Sequence, residues 1–243
     1  MNDHTASLDH TAADRDLSPE GNLPDPYAPE LGQLPESARD EETVNKTGTT
    51  TIGIATTDGV VVATDKRASL GGRFVSNKNV QKVEQIHPTG ALTLVGSVGG
   101  AQSFIRTLRA EVNLYEARRG TDMSMHALAT LAGNFARGGP FIAINPILGG
   151  IDEDGHHVYS IDPAGGVMKD DYTVTGSGLT VAYGTLEDRY EPDMSTDEAV
   201  SVAAASIRAA AERDTGSGNG LTLAKVTDEG VEITDYDDYD AVI

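Results

Sequence analysis

Lys46-Thr47-Gly48-Thr49-Thr50-Thr51-Ile52-Gly53-Ile54 is where the texture of this chain changes. A glycine gives way to β-branched residues, which sit well on a pleated, half-buried surface. After the turn pair Asp58-Gly59 comes a second such run, Val60-Val61-Val62. Two β-rich runs joined by Asp-Gly are a strong hairpin signal, because the pair tolerates the positive φ of a tight turn. The reading is a folded domain, residues 49–243, that opens on an antiparallel hairpin.

Upstream the composition differs. Residues 1–48 hold 5 of the 10 prolines and 11 acidic against 3 basic residues, with no sustained apolar periodicity. Such a stretch buries too little surface to offset its ordering entropy, so it is expected to be a disordered leader.

Downstream, residues 90–98 read as a strand, followed by two helices in succession. Ile105, Leu108, Val112 and Tyr115 recur at helical spacing, and so do Met125, Leu128, Ala132 and Phe135. Strands are expected at 141–148, 157–161 and 172–175, with Pro163, Gly165 and Gly166 marking a turn between the last two. A helix over about 179–190 precedes Ser195-Thr196-Asp197-Glu198, a capping-box pattern that opens an alanine-rich helix to about Arg213. Residues 221–226 and 231–234 form a closing hairpin before an acidic tail from Asp235. Strands, two helices, strands, two helices and strands suggest an α+β chain with two sheets packed face to face between helical layers.

Composition narrows the chemistry. In 243 residues there are 18 Lys and Arg against 38 Asp and Glu, a net charge of −20, which argues against nucleic acid as a partner. No cysteine is present, so a thiol nucleophile, a disulfide framework and Cys-ligated metal are excluded. The six histidines show no metal-ligand spacing and read as solvated loop residues, and no glycine-rich phosphate loop is present. The longest apolar runs fall far short of the roughly 18 to 20 residues that span a bilayer, and no secretory signal opens the chain. A cytoplasmic protein without membrane contact is expected. The excess of Asp and Glu suits solubility at high salt, which points to a salt-accumulating halophile.

The Gly48-Thr49 junction suggests a mechanism. If the chain is cut there, Thr49 carries both a hydroxyl nucleophile and an α-amine, whose ordinary pKa of about 7.7 to 8.0 lets it accept a proton near neutral pH. Taken alone, Gly-Thr-Thr-Thr also fits an ordinary strand start. Further segments add to it: Ala63-Thr64-Asp65-Lys66-Arg67, Gln81-Lys82, Gly96-Ser97-Val98-Gly99-Gly100-Ala101-Gln102, Gly149-Gly150-Ile151-Asp152, Ser160-Ile161-Asp162-Pro163-Ala164-Gly165-Gly166, Thr175-Gly176-Ser177-Gly178 and Arg213-Asp214-Thr215-Gly216-Ser217-Gly218. In this order, across residues 49–243, they resemble the catalytic β subunits of the proteasome core particle, which are N-terminal nucleophile hydrolases; the acidic composition suggests the archaeal type.

The resemblance implies a four-layer αββα sandwich and a threonine endopeptidase that removes its own propeptide, residues 1–48, by cleavage between Gly48 and Thr49. Thr49 would be the nucleophile, with Lys82 beside it and Asp65 as the ion-pair partner of Lys82. Ser177, Asp214 and Ser217 would surround the α-amine. The N–H of Gly96 would stabilise the oxyanion, while Ser69 and Val98 would pair with the substrate backbone. Ala68, Val80, Leu94, Val98 and Gln102 would line a mostly apolar specificity pocket and favour chymotrypsin-like cleavage after large apolar residues. Glu84, should it point into that pocket, would favour basic side chains instead. No cofactor or metal is implied. Partners would be β subunits in seven-membered rings, outer rings of α subunits, a regulatory ATPase acting through the α rings, and unfolded protein substrates. Two rivals stay open: an inactive structural subunit of the same particle, and a different N-terminal nucleophile amidase. Each residue also has an ordinary role available, Asp65 with Lys82 as a surface ion pair, Ser177 in a turn and Asp214 in a loop after a helix.

Overall fold

The structure, a computed structural model, describes residues 48–138 and 144–243. The expected leader up to residue 47, and residues 141–143 of the expected strand at 141–148, lie outside the described residues.

Two five-stranded antiparallel sheets form the centre, their strands numbered in chain order. In the first, β1 (Thr50–Ala55) pairs with β10 (Tyr172–Gly176) and β2 (Val60–Asp65), and β2 leads through β11 (Leu221–Thr227) to the edge strand β12 (Gly230–Tyr236). The second runs β5 (Val83–His87), β6 (Gly90–Thr93), β7 (Ile147–Asp152), β8 (Gly155–Ile161) and β9 (Val167–Asp170). A separate small hairpin pairs β3 (Ala68–Leu70) with β4 (Phe74–Asn77). The opening hairpin forms as read, with Ala55 opposite Val60 across the Asp58-Gly59 turn.

Strand periodicity decides which face each side chain serves. On β2, Val61 and Ala63 join Ile52 and Ile54 of β1 in a core shared with α3 (Leu179–Arg189) and α4 (Thr196–Ala211). Val60 and Val62 point the other way and meet Ile147, Val158, Ala224 and Val226 between the two sheets. On the far side of the second sheet, Leu92, Leu148 and Tyr159 pack against Phe104, Ile105 and Leu108 of α1 (Val98–Arg119) and Leu128 and Ala132 of α2 (Met125–Gly138). Three apolar interfaces therefore separate four layers, and the αββα sandwich is the observed fold. The capping box at Ser195 is complete: Glu198 N donates to Ser195 Oγ and Ser195 N donates to the Glu198 carboxylate.

Local corrections follow from local chemistry. The strand expected at 90–98 ends at Thr93, because Gly96 takes a positive φ of 103° and Val98 already begins α1. The described part of the strand expected at 141–148, residues 144–148, contributes only Ile147 and Leu148 to β7, which starts directly after Pro146, a residue with no N–H to donate. Beyond the turn at 163–166 lies β9, a short edge strand with polar residues that disguise it. His157 is buried inside β8, where its Nε2 donates to Asp152 Oδ1 at 2.7 Å, and His87 is buried on β5, so these two are not loop residues.

The Gly149-Gly150 pair sits within β7, where Gly149 lets the other sheet approach and Gly150 makes room for Met125 of α2. A Cβ on Gly149 would lie 2.3 Å from a methyl of Val62 and 2.8 Å from one of Val60. Gly149→Ala is expected to cost about 1–3 kcal/mol through overpacking. Gly184→Ala, in α3 with open space around the added carbon, should stabilise by about 0.5–1 kcal/mol. Thermal unfolding of the two variants should shift Tm in opposite directions.

Candidate active site

The site forms where five pieces of chain meet: the start of β1, the end of β2 with the residues directly after it, the residue before β5, the residue after β10, and the loop between α4 and β11. Thr49 is 2 % exposed, Asp65 0 % and Lys82 5 %. Three buried polar groups need mutual satisfaction, and they find it. Thr49 Oγ1 donates to Asp65 Oδ1 at 2.7 Å. Lys82 Nζ donates to Thr49 Oγ1 at 2.8 Å and to Asp65 Oδ1 at 2.8 Å. The Asp65–Lys82 pair is thus interior, and the surface-pair alternative does not hold. Burial pushes the Lys82 ammonium below the ordinary lysine value of 10.5, against the opposing pull of Asp65 and Asp214, and the Arg67 cation adds to the lowering.

A second arm reaches the backbone of Thr49. Its N–H donates to Ser177 Oγ at 3.1 Å, and Ser177 Oγ donates to Asp214 Oδ2 at 2.6 Å. Ser217 Oγ also donates to Asp214 Oδ2 at 2.6 Å and lies 2.7 Å from Thr50 Oγ1. Asp214 therefore ties Ser177 and Ser217 together beside the backbone of Thr49. With the peptide bond intact the N–H is a neutral donor; a free α-amine there would face the Ser177–Asp214 pair.

Gly48 N donates to Ser69 Oγ at 3.3 Å. A Cβ on Gly48 would lie 2.5 Å from the Gly216 Cα, so only glycine lets the chain before Thr49 pass this loop. Beside Gly48 and Thr49 opens a hollow lined by Ala68, Val80, Leu94, Gly96, Val98 and Gln102, and also by Arg67, Gln81, Lys82 and Ala101. All five expected pocket residues and Gly96 thus border one space with the threonine. Arg67, which the sequence shows only inside a matching segment, borders the same space. Its one signal there was its position two residues after Asp65. Glu84 does not border this hollow; its carboxylate accepts from Arg109 of α1 at 2.8 Å and lines the adjoining one. Among the described residues no group of three or more His, Asp or Glu could hold a metal ion, and no helix is long and apolar enough to cross a membrane.

Residues 45–226 match the protein family described as proteasome subunit. The chain belongs to the proteasome subunit family. It is 84 % identical to proteasome subunit beta 1 of Haloarcula marismortui over 214 residues, 88 % of this chain and 89 % of that one. It is 72 % identical to the proteasome subunit beta of Natronomonas pharaonis over 246 aligned positions, covering 100 % of both. Against proteasome subunit beta 2 of Haloterrigena turkmenica the identity is 74 % over 229 residues, 93 % of this chain and 97 % of that one. The chain is a proteasome β subunit of the haloarchaeal type and a threonine-type endopeptidase.

In this β subunit, Lys82→Ala would leave the Asp65 carboxylate buried without its cation and Thr49 Oγ1 without its donor. Peptide hydrolysis should fall by about 10²- to 10⁴-fold. Lys82→Arg should not rescue it, since the guanidinium is bulkier and holds its proton. In the parent protein, turnover that needs the Lys82 ammonium should decline on the alkaline side at a pH below 10.5, because a depressed pKa means the proton is lost earlier. Peptide turnover against pH for the three proteins checks this, and parental rates in either variant would reduce Lys82 to a structural ion-pair partner.

Proposed function

We propose that Thr49, made N-terminal by self-cleavage of the Gly48–Thr49 bond, is the nucleophile with which this β subunit hydrolyses peptide bonds, and that residues 1–48 are the propeptide removed in that step. The observation that carries this reading is the Thr49 hydroxyl, held by Asp65 and Lys82 and joined through the chain to Gly48, whose carbonyl it would attack.

In self-cleavage Thr49 Oγ1 bonds to the Gly48 carbonyl carbon and gives up its proton, the C–N bond breaks, and the nitrogen takes a proton to become the free α-amine. Water then hydrolyses the resulting ester and releases the propeptide. Each later turnover repeats the attack on a substrate carbonyl, with the α-amine now the proton acceptor. The Lys82 cation favours the developing alkoxide, and the N–H of Gly96 would receive the oxyanion. Backbone atoms of Ser69 and Val98 would pair with an extended substrate, which would add to the chain edge as a strand.

Gly48 has no side chain, so the hollow beside it stays open to the side chain preceding the cut. Ala68, Val80, Leu94 and Val98 make its walls largely apolar. Filling them with a large apolar side chain gains roughly 1.5 to 3 kcal/mol. Arg67 in the lining and the engagement of Glu84 by Arg109 both work against a basic side chain. Chymotrypsin-like cleavage after Leu, Phe or Tyr is the preference this lining supports.

A proteasome β subunit assembles with α and β rings. Seven β subunits per ring, outer α rings through which a regulatory ATPase delivers unfolded proteins, and a cytoplasmic location complete the proposal. An inactive structural subunit would have no use for Thr49 held by both Asp65 and Lys82. The test is turnover of fluorogenic peptides differing only at the residue before the cut. Thr49→Ala should abolish hydrolysis and Thr49→Ser should retain part of it, since the hydroxyl survives without the methyl that restrains its rotamer. The parent should cleave after Leu or Tyr faster than after Arg. A fully active Thr49→Ala particle would overturn the nucleophile, and faster cleavage after Arg would overturn the preference.

A further inference from the structure

Asp65 has two oxygens with separate duties. Oδ1 serves Thr49 Oγ1, Thr50 N and Lys82 Nζ. Oδ2 accepts two backbone N–H groups instead, Arg67 N at 2.9 Å and Gly218 N at 2.9 Å. The orientation of the carboxylate, and so the aim of Oδ1, depends on where the loop at 214–220 places Gly218.

That loop is held in an unusual backbone state. Gly218, Asn219 and Gly220 have successive φ values of 145°, 67° and 92°, and Asn219 is the sole non-glycine with positive φ among the described residues. A non-glycine residue persists there only when its surroundings fix it. The Tyr239 hydroxyl accepts from Gly220 N at 3.2 Å, and the Arg67 side chain holds the residues before it. Arg67 Nε donates to Asn219 Oδ1 at 2.9 Å and Arg67 Nη1 donates to the Thr215 carbonyl at 3.2 Å. The guanidinium lies where a Cβ on Gly218 would be, 2.4 Å from Nη2. Lys66 N donates to the Gly218 carbonyl at 3.1 Å and closes the seam between the two segments.

We propose that Arg67 and Asn219 form a positioning clamp that sets the Asp65 carboxylate, and with it the Thr49–Lys82 hydrogen bond, while locking the Asp214 arm of the site to the same frame. Neither residue needs to touch the reacting atoms. The clamp acts by geometry, and a misplacement of about 1 Å at the nucleophile is enough to cost about 10²-fold in rate. The Arg67 cation has a second effect, since it faces Lys82 together with Asp65 and Asp214 and opposes the pull of those two carboxylates.

The inference rests on Thr49 being the nucleophile, so the experiment carries Thr49→Ala as its reference: an active Thr49→Ala would sink that reading, whereas the clamp is judged on the other variants. Assembled particles of Asn219→Gly, Arg67→Lys and Arg67→Ala are compared for kcat, KM and the alkaline limb of the pH profile. Asn219→Gly keeps the φ accessible and removes only the acceptor; it should fold as the parent does yet lose about 10-fold or more in kcat, with KM nearly unchanged. Arg67→Lys keeps the charge without the fork, so kcat should fall similarly and the alkaline limb should stay in place. Arg67→Ala should lose more and move that limb to higher pH, because a cation facing Lys82 is gone. Parental kcat in both Asn219→Gly and Arg67→Lys would overturn the clamp, and so would a loss confined to KM, which would make Arg67 a substrate contact.

Discussion

One buried carboxylate organises this molecule. Asp65 is wholly excluded from solvent and receives five hydrogen bonds, from Thr49 Oγ1, Thr50 N, Lys82 Nζ, Arg67 N and Gly218 N. An ion in such a place is tolerated only when its lone pairs are satisfied and a cation lies against it, and removing one partner of a buried pair typically costs about 3–5 kcal/mol. That demand draws together the start of β1, the chain after β2 and the loop before β11. The first sheet holds them there, since β2 sits between β1 and β11 and Thr64, one residue before Asp65, is opposite both Thr51 and Thr222.

The same sheet explains why the nucleophile lies where it does. Ile52 and Ile54 of β1 are committed to the α3–α4 face, which fixes the register of the strand and leaves Thr49 at its end, opposite the end of β2. The chain as a whole carries −20, yet around Thr49 the charges balance locally, Lys82 and Arg67 against Asp65 and Asp214. The acid load that dominates the composition stays outside this cluster, whose inner members Thr49, Asp65 and Lys82 are buried, and salt screens their short contacts far less than surface charge.

Much of the fold was legible because it is written in local signals. Asp58-Gly59 between two β-branched runs, the spacing of Leu108 and Val112, and Ser195 with Glu198 each form what their neighbours dictate. The elements that escaped lack such signals. β9 is short and half polar, β3 spans three residues, and Gly149-Gly150 carries no strand signal, its reason lying in the valines that face Gly149 and in Met125 that faces Gly150. The site was legible only through resemblance, since Thr49 is 16 residues from Asp65, 33 from Lys82 and 128 from Ser177, separations that no periodicity links. The contact between Arg67 and Asn219 was invisible for the same reason: it spans 152 residues.

In the proposed mechanism the hydroxyl held by Asp65 and Lys82 turns on its own preceding carbonyl and leaves Thr49 as a free amine. Intact mass of the purified assembled protein tests this most directly. The expected species consists of residues 49–243 with Thr49 at its start, and Thr49→Ala should retain the leader. An active particle built from the uncut 243-residue chain, or one cut elsewhere with Thr49 still in peptide linkage, would contradict it.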